Sequence, residues 1–306
     1  MKKKTKKDLR LFEKILTIPS VSHEEYRMFH FIENFLVKEK INYEVKEGNI
    51  IATKRNKDGF LPGICCHMDT VHKIKKNPLP VEKFKKDGSW IYTSKYGIGG
   101  DDKCGIFICL SMLKKFGNIK AFFFSNEEVG MQGSYSLDLE EFKDISYLIE
   151  ADRKGNSDII TQHFGESLIS ENFYNYIENI RKKYGYEHTE GIGTDVSSLV
   201  EKGLNLSVIN VSCGFYNPHT LQEYIILKDV YKAMDFIEDV IKKPNNKQFK
   251  NKFQGTNYRE NFFYENFDYC IICQREIDID GKYFKSKYGL VCQDCLDRLI
   301  DNYFNN

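Results

Sequence analysis

The stretch that most restricts what this chain can become is Ala121-Phe122-Phe123-Phe124 running into Ser125-Asn126-Glu127-Glu128-Val129-Gly130. A short apolar run stopped by polar residues and glycine reads as a buried strand whose carboxyl end opens into a loop. In open α/β sheets that end of a strand is where ligands bind. Two adjacent carboxylates repel each other there, and burying them unpaired is costly. A cation beside them removes the conflict, because one carboxylate can then bind metal while the other handles protons. Taken alone, a Glu pair in a charged chain is an ordinary solvated pair, so its meaning depends on the other stretches.

Four of those carry the same kind of chemistry. In Gly63-Ile64-Cys65-Cys66-His67-Met68-Asp69 the first half reads as a buried strand, and two-residue alternation puts His67 and Asp69 on one face. A metal-binding histidine needs its second nitrogen held, which a nearby carboxylate can do; the plainer reading is a hydrogen-bonded core histidine. Adjacent Cys65 and Cys66 read as packing residues. Gly97-Ile98-Gly99-Gly100-Asp101-Asp102-Lys103 precedes a helix from Ile106 to about Phe116. It is not a phosphate loop, since the Gly-Lys-Ser/Thr ending is missing and two acids stand in its place; either acid could simply cap the helix. Tyr147-Leu148-Ile149-Glu150-Ala151 reads as a strand delivering Asp152, and Asn217-Pro218-His219-Thr220 as a polar loop beyond a strand at Leu206–Val211.

Between these lie ordinary elements. Leu9, Phe12, Ile15 and Leu16 form one helical face that Pro19 ends. Ser22 to Glu25 reads as a capping box for a helix reaching Lys38, with Phe29, Ile32, Phe35 and Leu36 inward and His23 and His30 as surface or packing residues. Strand patterns cover Tyr43–Val45, Asn49–Lys54 and Asp158–Thr161, and helical ones Leu168–Tyr184 and residues 228–242. Lys73–Lys86, with six lysines, Glu82, Pro78 and Pro80, reads as a solvated loop. Thr194 or Asp195, after Gly191-Ile192-Gly193, reads as a helix cap.

With 306 residues, 41% hydrophobic and 29% charged, the chain has ample material for a globular core. A formal net charge of +1 gives no global field for nucleic acid or membrane. Five lysines at the start are followed by Asp8-Leu9-Arg10 and no long apolar region, which argues against a secretory signal. Nine cysteines without such a signal imply reduced thiols or metal ligands and a cytoplasmic setting.

In order, His67-Met-Asp69, Gly-Gly-Asp101-Asp-Lys, Asn-Glu127-Glu128-Val-Gly, Glu150-Ala-Asp152 and Asn-Pro-His219-Thr together resemble the two-zinc exopeptidase and deacylase family of peptidase T, glutamate carboxypeptidase and succinyl-diaminopimelate desuccinylase. The opening Leu11-Phe-Glu-Lys-Ile-Leu-Thr-Ile-Pro-Ser-Val-Ser is similar too, and the resemblance covers residues 8–243. It implies a three-layer α/β domain with a central mixed sheet flanked by helices. By position, Asp101 would bridge two ions, His67 and Asp152 would hold one and Glu128 and His219 the other. Glu127 would be the general base, Asp69 would orient a ligand histidine, and the Asp101-Asp102 peptide would be cis. Such donors suit zinc, with cobalt or manganese conceivable. The implied activity is cleavage of an amide bond in a small peptide by a water between the metals. The alternatives are an N-acyl amino acid deacylase and, from another class, a metal-binding interaction protein without turnover. Only 66 residues separate Asp152 from His219, too few for the lid domain many members insert there. His163 and His72 are the candidates for the histidine that such a lid would otherwise bring from a partner.

Residues 244–268 read as a polar linker able to pack on the domain. Beyond it, Cys270-Ile-Ile-Cys273 and Cys292-Gln-Asp-Cys295, 18 residues apart, have the spacing of a four-thiolate structural zinc site in a module of residues 269–306. This resembles a zinc ribbon or treble clef, with a hairpin turning at Asp280-Gly281 and a helix over Gln293–Tyr303. Nine basic and nine acidic residues in 244–306 leave no basic footprint for nucleic acid, so a protein contact or plain stabilisation fits better. A closed thiolate site holds its ion more tightly than an open carboxylate–histidine site. Mild chelation should therefore abolish hydrolysis while about one zinc per chain stays bound. Cys273→Ser with Cys292→Ser should lose that zinc and keep the activity; metal analysis beside a peptide assay checks both, and loss of activity in the double variant contradicts the division.

Overall fold

The central strand-forming runs assemble side by side because they are apolar on both faces and must be covered on both. In this computed structural model, residues 6–73, 76–253, 283–286, 289–293 and 296 are described. The chain begins with α1 (Lys6–Leu16) and α2 (Tyr26–Lys38), then β1 (Asn42–Lys46), β2 (Asn49–Arg55) and β3 (Leu61–His67). There follow β4 (Glu82–Lys86), β5 (Ser89–Thr93), α3 (Gly100–Lys115), β6 (Asn118–Phe124), α4 (Gln132–Ser136), β7 (Ile145–Arg153), β8 (Asp158–His163) and β9 (Glu166–Ser167). Then come α5 (Glu171–Tyr184), β10 (Glu187–Glu190), α6 (Asp195–Glu201), β11 (Val208–Ser212), β12 (Phe215–Tyr216), β13 (Tyr224–Ile226) and α7 (Leu227–Lys242).

The main sheet runs β1-β2-β6-β3-β7-β11-β8-β10, with β9 beside β8. Its middle strands β6, β3, β7 and β11 are mutually parallel, while β1–β2, β2–β6 and β11–β8 pair antiparallel and β10 pairs parallel with β8, so the sheet is mixed. Alternation divides the core. Ile64, Cys66, Ala121, Phe123, Tyr147 and Ile149 face one apolar cluster, built with α1, α2, α3, α5 and α7. Cys65, Phe122, Phe124 and Leu148 face a second, with Val196 and Leu199 of α6. The expected three-layer α/β domain is the fold observed, and residues 153–218 fold into it as β8–β12, α5 and α6 without forming a separate unit. Strands β12-β13-β5-β4 make a smaller antiparallel sheet that holds the loop bearing His219.

Several local expectations shift. Ser22 does not cap α2, whose N-cap is Glu25 with no side-chain bond; the Ser22 hydroxyl donates to Asp69 Oδ2 at 2.7 Å instead. The end of the lysine-rich stretch is not loop but the exposed strand β4, paired with β5, and Lys83 and Lys85 lie over the Trp90 ring. An all-exposed strand has no apolar alternation to betray it.

The chain divides into a unit of residues 1–253 and a second of residues 254–306. In the second, β14 (Tyr283–Ser286) pairs antiparallel with β15 (Gly289–Cys292), Ser286 opposite Gly289. That register closes the β14–β15 hairpin between Ser286 and Gly289, and the turn expected at Asp280-Gly281 lies outside the described residues. Cys270, Cys273 and Cys295, and the side chain of Cys292, lie outside the described residues, as does most of the expected final helix.

Residues 244–253 belong with the first unit. Phe249 N donates to Ser146 O at 2.8 Å and its carbonyl accepts from Ser207 N at 2.7 Å. Its ring sits 4.9 Å from that of Tyr176 and 5.2 Å from that of Phe173. Replacing a buried phenylalanine by alanine typically costs ~3–5 kcal/mol. Phe249→Ala should accordingly lower the unfolding free energy in urea by about 3 kcal/mol, and a loss under about 1 kcal/mol would show that the segment merely lies on the surface.

Candidate metal centre and active site

The parallel strands β6, β3, β7 and β11 all end at the same edge of the sheet, and that edge collects the polar residues singled out by the sequence. Strand β3 ends at His67 with Asp69 just beyond, β6 leads to Glu127 and Glu128, and β7 carries Asp152. After β11 the chain enters the β12–β13 hairpin, whose loop holds His219. Asp101 comes from the start of α3, where it and Asp102 have non-helical backbone angles and are joined by a cis peptide, as expected. The two acids divide the readings proposed for them. Asp102 caps the regular helix by accepting from Gly105 N at 2.9 Å, whereas Asp101 turns to the histidines.

Two donor groups share Asp101. His67 Nε2 lies 3.0 Å from Asp101 Oδ1 and 3.5 Å from Asp152 Oδ1, while His219 Nε2 lies 3.2 Å from Asp101 Oδ2 and 3.0 Å from Glu128 Oε2. Each of the sets His67–Asp101–Asp152 and Asp101–Glu128–His219 brings its donor atoms within 4.8 Å of one another. Glu127 Oε2 is 3.9 Å from His67 Nε2. His67 is fully buried, and His219 is about half exposed. Among the described residues, Glu128 Oε1 is buried without a hydrogen-bond partner. An orphaned carboxylate oxygen next to imidazole nitrogens suits a divalent cation, and mixed oxygen and imidazole donors suit zinc, cobalt or manganese.

Asp69 acts through both its ends. Its main-chain carbonyl is 3.0 Å from His67 Nδ1, closer than its own Oδ1 at 3.4 Å. The carboxylate accepts from Glu127 N at 2.9 Å, Glu128 N at 3.2 Å and Ser22 Oγ. It therefore ties the end of β6 to the end of β3. Burial works against its charge, but His67, Ser22 and the Glu127 N–H hold the carboxyl below its ordinary range. Asn210 does similar duty for Asp152, accepting from its N–H and donating to its carbonyl, both at 2.9 Å.

Crowding shifts the protonation of the whole cluster. Burial pushes the carboxyls of Glu127, Glu128 and Asp152 up, with neighbouring carboxylates adding to the effect. Asp101 goes the other way, because hydrogen bonds to His219 and His67 outweigh its burial. Burial alone would lower His67, but Asp152 and Asp101 raise it well above the usual imidazole range. Hydrogen bonds to Asp101 and Glu128 carry His219 up to about 11.

The remaining candidates are placed differently. His72 Nε2 is engaged with Glu223 Oε2 at 2.8 Å, and His163 Nε2 with Glu201 Oε1 at 2.7 Å. Thr194 caps α6 through a capping box with Ser197. Asp195 is buried beside it; its N–H donates to Glu150 Oε1, and burial raises its carboxyl to about 7. Cys65, Cys66, Cys104, Cys109 and Cys213 are buried free thiols. Three residues that the sequence reading did not assign to the site support it: Ser22, read as a helix cap, Asn210 and Glu223. Glu223 was detectable in part, since alternation along Glu223-Tyr224-Ile225 sets it on the same inner face as buried Ile225.

The fold is similar to that of solved peptidases. An aminopeptidase PepT from Bacillus cereus aligns over 77% of this chain and 97% of its own, with a TM-score of 0.64 and 16% identity. A tripeptidase from Staphylococcus aureus aligns over 76% and 98%, with a TM-score of 0.59 and 14% identity. A TET aminopeptidase from a marine sediment thaumarchaeon aligns over 78% and 98%, with a TM-score of 0.64 and 11% identity. No protein-family model and no curated protein matches the chain.

A metal ion needs the free lone pair of an imidazole and an ionised carboxylate, so loading this cluster must displace protons. At pH 7 the raised histidines and carboxyls should release about two protons or more as two ions bind, and affinity should rise with pH through that range. Zinc calorimetry in buffers of different ionisation enthalpy measures the release, and heats independent of the buffer would contradict this protonation pattern.

Proposed function

We propose that this chain is a metal-dependent exopeptidase that removes residues from small peptides. The observation that carries the reading is the pair of donor sets sharing Asp101, with Glu127 buried beside them at the carboxyl ends of parallel strands. The structurally similar proteins are aminopeptidases and a tripeptidase, which supports the same chemistry. His67, Asp101 and Asp152 would hold one ion and Asp101, Glu128 and His219 the other. Bound there, such ions supply a water acidified towards neutrality and an electrophile for the scissile carbonyl.

The residues of the chain do the rest. Asp69 holds His67 through its carbonyl and fixes the backbone of both Glu127 and Glu128 through its carboxylate. Glu127 takes the proton of the attacking water and returns it to the leaving amine. Burial raises its carboxyl above the ordinary carboxylate range, which suits a group that must accept and then donate. Five acidic side chains crowd the site, His219 is the most exposed of the five ligands, and approach from solvent is therefore on the side of the β12–β13 hairpin. The cysteine quartet of the tail remains proposed as a separate structural zinc site. No helix among the described residues is long and apolar enough to cross a membrane, and a cytoplasmic setting is part of the same proposal.

Glu127→Gln keeps the shape and removes the proton acceptor. Turnover of di- and tripeptides should fall by ~10²–10⁴-fold, with metal content as in the wild type. Near-normal turnover would remove Glu127 from the mechanism. Wild-type protein that cleaves N-acyl amino acids and leaves free peptides intact would move the reading to a deacylase.

A further inference from the structure

Glu223 is fully buried, and both of its carboxylate oxygens are committed to the segment that presents Asp101. Oε1 accepts from Asp101 N at 3.0 Å, and Oε2 accepts from Gly99 N at 2.8 Å. His72 Nε2 approaches the same Oε2 at 2.8 Å. The backbone of Glu223 is anchored in turn, since its carbonyl accepts from Thr93 Oγ1 at 3.2 Å and its N–H donates to Thr220 O at 3.2 Å. Across the same turn, the buried Lys103 Nζ donates to Ile98 O at 3.0 Å and Leu16 O at 3.3 Å. The Glu223 carboxyl thus holds the N–H groups on either side of Gly100, and the Lys103 amine holds the carbonyl before them. Gly100 permits the approach, because a Cβ there would lie 2.7 Å from Phe215 Cβ and 3.2 Å from Glu223 Oε1.

Glu223 sits on the hairpin whose loop carries His219, only four residues further along. We infer that Glu223 is a positioning residue of the metal centre, locking the backbone of Asp101 to the His219 hairpin so that the shared carboxylate faces both donor sets. This rests on the metal-centre reading above. Asp101 belongs to both sets, so a small displacement of its backbone is felt at both ions. Each carboxylate oxygen faces its own backbone N–H donor, an arrangement that an amide with one oxygen and one NH2 cannot match. In Glu223→Gln, an amide N–H must confront either the Asp101 N–H or the Gly99 N–H, whichever way the group is turned.

The test needs no substrate. Cobalt(II) added to the full chain reports a carboxylate–imidazole site through its visible absorption, and thiolate sites separately through charge-transfer bands in the near ultraviolet. Glu223→Gln should bind cobalt at least about tenfold more weakly by the visible bands, a deficit of ~1.4 kcal/mol, with any thiolate bands unchanged. Glu223→Asp keeps the charge and loses the reach, so it should fall in the same direction. If both variants bind cobalt as the wild type does, or only their melting temperatures drop, Glu223 is a structural anchor and the assignment fails. Two variants that do not fold make it a folding residue and overturn the assignment equally. Wild-type protein with no visible cobalt site would remove the metal centre itself. Tight cobalt binding without peptide hydrolysis would instead sink the proposed activity and leave the role of Glu223 standing.

Discussion

Repulsion among buried carboxylates is the constraint around which this molecule is built. Asp69, Asp101, Glu127, Glu128 and Asp152 converge on two imidazoles at one edge of the sheet. Unpaired charges at such density would cost several kcal/mol each in a low-dielectric interior. The cluster responds by raising the proton affinity of Glu127, Glu128 and Asp152 and of both histidines. Divalent cations would replace protons there and satisfy the same lone pairs. Stability and chemistry therefore draw on one source: the arrangement that is awkward without metal is the one that can hold two ions through a shared carboxylate.

The fold contributes by convergence. Four parallel strands bring distant parts of the sequence to one edge: His67, Asp69, Glu127, Glu128 and Asp152 sit at a strand end or just past it, Asp101 comes from the start of α3 and His219 from the β12–β13 loop. Rigidity then comes from polar anchors behind the donors. Asp69 ties the β3 end to the β6 end, Asn210 grips the backbone of Asp152, and Glu223 grips that of Asp101. These anchors are buried and use backbone groups as partners, so they fix position without adding ligands. The His219 hairpin is the looser side of the site, about half exposed at the imidazole and carried by the smaller sheet.

Much of this was legible before any coordinates. Apolar runs such as Ala121–Phe124 and Ile64–Cys66 announced buried strands, and the acids and histidines after them marked the edge where the site lies. What stayed hidden depends on long-range partners. Ser22 obeys the local pattern of a helix cap, yet its hydroxyl is claimed by Asp69, 47 residues away. Glu223 sits in a polar loop sequence, and nothing local says that it reaches Asp101, 122 residues away. Phe249 lies in an Asn- and Lys-rich stretch whose composition hides an aromatic plug, and β4 is a strand only because β5 is there to pair with it. Local pattern gave the elements and the donors; the supporting contacts required the fold.

The most direct test of the account is anomalous diffraction at the zinc edge from crystals of the metal-loaded protein. Two peaks should appear in the cluster, one among His67, Asp101 and Asp152 and the other among Asp101, Glu128 and His219, with the Asp101 carboxylate between them. Zinc-saturated crystals with no peak in this cluster, or with ions that do not share Asp101, would contradict the account.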